Sequence, residues 1–593
     1  MDNRRVLSAI DGLRSGKTDR RAFMKAAAAA GVSLGAASVL ADGVLAQEAT
    51  PAASPEGEVV RSITRDDYLA RLHEAYPYEE AAVEGGQMIL ASTTDVSTLN
   101  PVTRSDVIAL YAINNIYSYL ASQSPIDGTM APDLADYWEL APDGKTYTFY
   151  INQDAVWHDG EPVTADDCVM TFNAVMAEES ISPVASDFLQ NIASIRAVDD
   201  KTFELVAHQP AALVLEKTVA AIAIMPKHIW GDIPFGEWAS SPGSTGTDPA
   251  QVIGSGPFVF REWELGDHVT IDRNENYWLP QRIPHIDSFT IRVIPESSSA
   301  IQSIVTGESD TMRGMAPTQI PQVEGNPDIR VETYDDMGWG FFLMNADADK
   351  GSFFSDTVVR RALMYAVDRD LIVDTMLGGI GTPAVGVQPP TSPAYAPDHV
   401  KTVYTYDPDT AKALLEEAGW VEGKDGVREK DGVKFSFEFL YGDDTPINDQ
   451  LVPYLKQVFG AVGVELLPKA MPSPAMMESV IAGKFEMATL KIYWTLDDQG
   501  VLYRCDAIPP DGFNLTRHCN EEYDRLNTAS QTELDPEKRL QIMIEQDNIA
   551  NDDAYWGLLY FSQSVAPVNT RVKNAFYSAF GELWSIPEIW LAE

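Results

Sequence analysis

One imidazole and four carboxylates crowd the stretch VWHDGEPVTADD, residues 156–167. Those residue types can do general acid–base work or ligate a metal. Metal ligation wants regular spacing, as in H-x-x-x-H, and the stretch has none. The same residues also have a local structural reading. Thr164 stands three residues before Asp167, the spacing of a capping box. Val169, Phe172, Val175 and Met176 then share one helical face, and Asp166 and Asp167 complement the dipole of a first turn. His158-Asp159-Gly160 reads as the turn that ends a strand. The stretch is therefore expected to build structure, not to catalyse.

Cysteine offers the second possible chemistry. The chain has three: Cys168, Cys505 and Cys519. Cys505 and Cys519 flank CDAIPPDGFNLTRHC, whose Pro-Pro-Asp-Gly turn can fold the ends together. A disulfide there would contribute about 3 kcal/mol in the chain-entropy model, and two free thiols are the alternative. Cys168 lies among apolar residues and reads as a buried thiol. There is no H-E-x-x-H, no G-x-S-x-G and no P-loop, and the eight histidines are scattered. No catalytic residue, metal or cofactor is expected. A secreted hydrolase using paired carboxylates stays as the alternative, because 88 acidic residues always offer such pairs.

These residues sit in a chain of 593 residues, too long for one ordinary domain. Acidic residues outnumber basic ones 88 to 43, for a formal net charge of −45. Such a surface repels phosphate backbones and points away from nucleic acid. The N-terminus reads as an address. TDRRAFMK (18–25) sets Arg20 and Arg21 before an uncharged run, 26–41, and Val44-Leu45-Ala46 suits a signal peptidase. This resembles a twin-arginine export signal cleaved after Ala46. A retained membrane anchor is the alternative, although the run is shorter than the ~20 residues a span needs. Residues 47–58, QEATPAASPEGE, read as a flexible spacer.

Strand-like runs include 87–93, 145–151, 201–207, 257–263, 268–274 and 288–294, then 435–441, 462–468 and 486–494. Helical stripes interleave with them over 356–377, 407–420 and 448–463, with Asp356 as an N-cap candidate. Mixed strands and helices imply an α/β architecture.

Four segments in order then resemble the peptide- and nickel-type (family 5) solute-binding proteins of ABC importers. LADYWELAPDGKTYTFYINQDAVWHDGEPVTADDCVMTF contains the opening stretch. IGSGPFVFREWELGDHVTIDRNENYW, FFSDTVVRRALMYAVDRDLIV and YDPDTAKALLEEAGW follow. Asn152 and Cys168 depart from the usual residues of that pattern. The resemblance implies an α/β, two-lobe periplasmic-binding-protein (type II) fold with an extra domain inserted in the first lobe. Its implied divisions are 1–46 signal, 47–84 spacer and N-terminal extension, and 85–123 first lobe. Then come 124–249 inserted domain, 250–336 first lobe again, 337–565 second lobe, and 566–593 returning to the first. It implies an exported monomer, in the periplasm or on the outer cell surface. That monomer captures a peptide or other small-molecule solute and delivers it to membrane permease subunits. In peptide-binding members a W-x-x-D element follows a strand of the second lobe, and its Asp accepts the ligand's ammonium group. Here that element is Trp494-Thr495-Leu496-Asp497, with Asp498 able to serve instead because the following residues depart from the family pattern. A packed Trp in an acidic loop is the plainer reading. Trp339 is a further candidate for lining the cleft.

Overall fold

The computed structural model describes residues 59–78, 82–347, 352–493, 499–510, 512–580 and 582–592. The expected export signal, its cleavage site and the spacer lie outside the described residues. The chain divides into two compact units. Among the described residues, one comprises those from 59 to Tyr334 together with the residues from Ser564 on; the other lies within Asp335–Gln563. Among the described residues no helix is long and apolar enough to cross a membrane.

In the first unit, strand β1 (Val60–Arg61) precedes helix α1 (Arg65–Ala75), which Thr64 caps by accepting from the Asp67 N–H. Strand β2 (Gln87–Ser92) and helix α2 (Ile108–Ile116) follow. Next come β3 (Ala135–Leu140), β4 (Thr146–Ile151), helix α3 (Ala165–Met176), β5 (Ile192–Asp199) and β6 (Thr202–Ala207). Strands β4 and β6 alternate half-buried and buried residues, as a sheet with one covered face requires. They form an antiparallel sheet of order β1-β3-β4-β6-β5. Strands β7 (Phe258–Glu264), β8 (His268–Arg273), β9 (Ser288–Val293) and β10 (Thr311–Met312) complete a second sheet with β2. Its order is β10-β2-β9-β8-β7, with β9 parallel to β2 and Ser288 opposite Gln87.

The long strand β11 (Ile329–Met344) carries the chain into the second unit. Helix α4 (Thr357–Tyr365) is capped by Asp356, which accepts from the Val358 N–H at 2.9 Å. The expected single helix over 356–377 is broken. Asp368 accepts from the Leu371 N–H at 3.0 Å and so caps a new short turn, Arg369–Leu371, after α4 has ended. Helix α5 (Pro408–Glu417) has Asp407 as its cap. Strand β12 (Ser436–Gly442), helix α6 (Asn448–Ala461), strand β13 (Glu465–Met471) and strand β14 (Met487–Tyr493) follow. β13 starts three residues later than expected because Gly463, at φ +84°, turns the chain first. Pro468 is tolerated in β13 because that strand is the sheet edge. Helices α7 (Glu521–Thr532) and α8 (Pro536–Asp552) lead to strand β15 (Trp556–Asn569), which returns the chain to the first unit. Here the sheet order is β13-β12-β14-β11-β15.

Candidate functional site

The stretch 156–167 is structural throughout. His158 is held between two backbone groups: its Nδ1 accepts from the Gly254 N–H at 3.2 Å and its Nε2 donates to Gly256 O at 3.0 Å. Burial pushes the imidazole down to about 4, so it is the neutral ring that makes both bonds. Gly254 and Gly256 lie against the end of α2. A Cβ there would stand 1.8 Å from Ile116 O and 2.4 Å from Asn115 O, so only glycine fits. Asp167 accepts from the Thr164 N–H at 2.7 Å and the Thr164 hydroxyl at 2.9 Å, and its other oxygen takes the Lys227 N–H at 2.7 Å. Asp166 pairs with Lys227 and Asp159 with His228, each at 2.7 Å. His158, Asp159, Asp166 and Asp167 are thus spent on holding chain to chain, while Glu161 is exposed. Cys168 is a buried free thiol.

One His–acid grouping among the described residues brings possible metal-ligating atoms within 4.8 Å of one another: Glu264, Asp267 and His268. It sits on the exposed β7–β8 turn, and His268 Nδ1 is already 2.8 Å from Asp267. It reads as a solvated turn.

In the second unit, Trp494, Asp497 and Asp498 lie outside the described residues. What surrounds them in sequence is described. β14 runs between β11 and β12, antiparallel to the first (Gly338 opposite Tyr493) and parallel to the second. Gln499, 5% exposed, is the first residue after the undescribed stretch. Its Nε2 donates to Gln388 Oε1 at 2.9 Å, and Gln388 Nε2 donates to Asp547 Oδ1 at 2.9 Å. Among the described residues, Gln499 Oε1, Asp547 Oδ2 and the Tyr503 hydroxyl, all buried, meet no hydrogen-bond partner. Burial lifts the Asp547 carboxyl to about 8, with the Gln388 bond opposing. Cys505 and Cys519 are joined in a disulfide, Cα–Cα 4.7 Å. Inside that loop Asn514 donates to the carbonyls of Arg504 and His518 at 2.9 and 2.7 Å. Trp339 is placed in the core, 0% exposed, with its ring edge-on to Trp556 and Phe561 at 5.8 and 6.5 Å. Gln388, Gln499 and Asp547 were not expected as a set, since 111 and 159 residues separate the bonded pairs.

The first unit contains a cavity of about 330 Å³, walled in part by Tyr68, Tyr111, Tyr117, Tyr277, Arg282 and Trp584. That volume is within the ordinary range of small-molecule pockets. Its wall charges are largely paired: Arg282 with Glu588 at 2.7 Å, and Glu582 with Arg313 at 2.7 Å. Asp133 is lifted to about 6 by burial, against the Tyr119 N–H and the nearby Arg65 and Arg282.

The fold is that of the type II periplasmic binding proteins. The structure of the oligopeptide-binding protein AppA from Bacillus subtilis in complex with a nonapeptide superposes with a TM-score of 0.66 at 22% identity, covering 86% of this chain and 100% of that one. The chain belongs to the bacterial extracellular solute-binding proteins, family 5, whose middle region matches residues 129–507. It is similar to the oligopeptide-binding protein AppA of Bacillus subtilis, 25% identical over 521 residues, 86% of this chain and 92% of that one. It is also similar to the dipeptide-binding protein of Escherichia coli, 25% identical over 477 residues, 76% of this chain and 84% of that one.

Proposed function

We propose that this chain binds a peptide, or a similar solute bearing a primary ammonium group, and delivers it unchanged to the permease subunits of an ABC importer. The observation that carries this reading is the family match across 129–507, which contains the Trp494–Asp498 stretch, together with relatives named for oligopeptide and dipeptide binding. Asp497, or Asp498 in its place, accepts the ammonium group, and Trp494 supplies apolar area and a cation–π face. Trp339 supports the site from the core. Residues 124–249 are the inserted domain, 1–46 the twin-arginine signal, and the mature chain begins at Gln47. No chemical step is assigned to the protein.

Native mass spectrometry of ligand retained through purification, followed by calorimetry, tests the reading. Asp497→Asn should weaken binding of a cationic peptide by about 2–5 kcal/mol, as for a broken buried charge pair. Unchanged affinity in both Asp497→Asn and Asp498→Asn removes these carboxylates from the site. Release of a modified product would replace the binder with an enzyme.

A further inference from the structure

The cavity of about 330 Å³ is formed wholly by the first unit. Helix α1 supplies one wall with Tyr68 and Leu72, and the C-terminal return supplies another with Trp584. Among the described residues four charged side chains line it, Arg65 and Arg282 against Asp133 and Glu582, so the wall is balanced in sign. Two of the four are fully engaged. Arg65, 5% exposed, gives Nη1 to Asp136 and Nη2 to the carbonyls of Asp133 and Leu134, with its guanidinium 4.9 Å from the Trp278 ring. Glu582 takes the Arg313 guanidinium on both oxygens and the Tyr111 hydroxyl as well.

The other two keep bonding capacity. Arg282 donates from Nε to Glu588 Oε1 at 2.7 Å, and among the described residues its Nη1 and Nη2 meet no acceptor. The guanidinium lies deep in the unit, yet the side chain keeps 26% of its surface open. Asp133 accepts from the Tyr119 N–H through Oδ2 at 2.8 Å, while among the described residues its Oδ1 meets no donor. It too lies deep and is only half-buried. None of these three unbonded atoms is sealed in protein. Deep groups that line a cavity and keep open surface open into that cavity. The charges of Asp133 and Arg282 both act on the Tyr68 and Tyr277 hydroxyls, which puts the four residues at one end of it. Among the described residues no ion pair joins Arg282 to Asp133, so a gap separates a free guanidinium fork from a free carboxylate oxygen.

A fork of N–H donors matches a carboxylate, and a carboxylate oxygen matches an ammonium group. A lone anion would face Asp133, and a lone cation would face Arg282; a ligand bearing both charges satisfies both. The rings of Tyr68, Tyr277 and Trp584 offer apolar area beside them. The volume is at the small end of ligand pockets, about 300–1,000 Å³, which suits one residue and not an oligopeptide. We propose that this cavity binds a small zwitterion, an α-amino acid with an apolar side chain, its carboxylate on the Arg282 Nη groups and its ammonium on Asp133 Oδ1. The site is independent of Asp497 and Asp498 and stands if those are reassigned.

Calorimetry of the full mature chain, stripped of retained ligand by unfolding and refolding, tests this. L-phenylalanine and L-leucine should each bind. Phenethylamine, which lacks the carboxylate, and 3-phenylpropionate, which lacks the ammonium, should bind about 10- to 100-fold more weakly than L-phenylalanine. Asp133→Asn keeps an oxygen for the Tyr119 N–H and should weaken L-phenylalanine by a similar factor, as should Arg282→Lys, which keeps the charge and loses the fork. Crystals of the wild type soaked in 4-bromo-L-phenylalanine should show an anomalous peak beside Arg282 and Asp133, a readout that needs no variant to fold. Absence of binding by both amino acids, equal binding of the single-charge analogues, or a bromine peak only elsewhere would overturn the proposal. Loss of L-phenylalanine binding in Asp497→Asn with none in Asp133→Asn would assign the ligand to the solute carboxylates and overturn it too.

Discussion

The His158 turn and the Gln499 corner are both polar and both rich in groups able to do chemistry, yet their hydrogen bonding differs. At His158 both ring nitrogens are bonded, and Asp167 takes three donors. At Gln499 a relay of two bonds runs to Asp547, while three neighbouring acceptor or hydroxyl atoms remain unpartnered. Buried polar atoms in proteins are mostly satisfied, so the bonds that converge on His158 and Asp167 mark a structural knot. The shifts agree: burial drives the His158 imidazole to the neutral form and the Asp547 carboxyl toward the neutral form. In the saturated region that neutral form is the bonded one; in the other, an oxygen is left over.

The largest effect should come from breaking the saturated knot. His158→Leu leaves the Gly254 N–H without its partner and Gly256 O with Asn274 Nδ2 as its remaining side-chain donor, so urea unfolding should show a loss of about 2–4 kcal/mol. Solute affinity of the folded variant should stay within a few-fold. A large affinity loss at unchanged stability would erase the distinction between the two regions. Next in size is the covalent loop beside the corner: Cys505→Ser with Cys519→Ser should cost about 3 kcal/mol, read as a lower Tm.

The pH dependence sharpens the contrast through its sign. The folded pKa of His158 lies below its unfolded value, so its contribution is present above the unfolded value, near 6.5, and is lost as pH falls toward 4. The folded pKa of Asp547 lies above its unfolded value, so the folded state holds the proton longer. Stability on its account is greatest below about 4 and declines as pH rises toward 8. Unfolding free energies of His158→Leu and Asp547→Asn, each subtracted from wild type between pH 4 and 9, should therefore slope in opposite directions. Parallel slopes would refute the assignment. The smallest effect is Asp547→Asn near pH 6, within about 1 kcal/mol of wild type, because the amide replaces a carboxyl already mostly neutral.

Legibility in sequence follows the range of the interactions. β4 and β6 were readable because one face of each is covered and the residues alternate. The Thr164–Asp167 cap was readable because both partners lie within four residues. The two crossing strands were not. β15 is buried on nearly every residue of its first half, so its sequence carries no period, and the early part of β11 is too polar to signal a strand. The break at Asp368 was hidden because apolar spacing continues across it. At the candidate site, Cys505 and Cys519 were visible as a pair, whereas the bond from Gln499 to Gln388 joins residues with no motif between them. Arg282 and Asp133 stood in no motif, and nothing local shows that they line one cavity.

The double crossing of the chain also sets an order of assembly. The first unit needs Ser564–Glu593 for closure: Arg571 pairs with Asp310 at 2.6 Å, Glu582 with Arg313 at 2.7 Å and Glu588 with Arg282 at 2.7 Å. These partners are 261, 269 and 306 residues apart. On a ribosome the second unit is complete in sequence before the first has its last strand. The unit begun earliest therefore finishes last, keeping an open edge and unpaired interior arginines until the final thirty residues emerge.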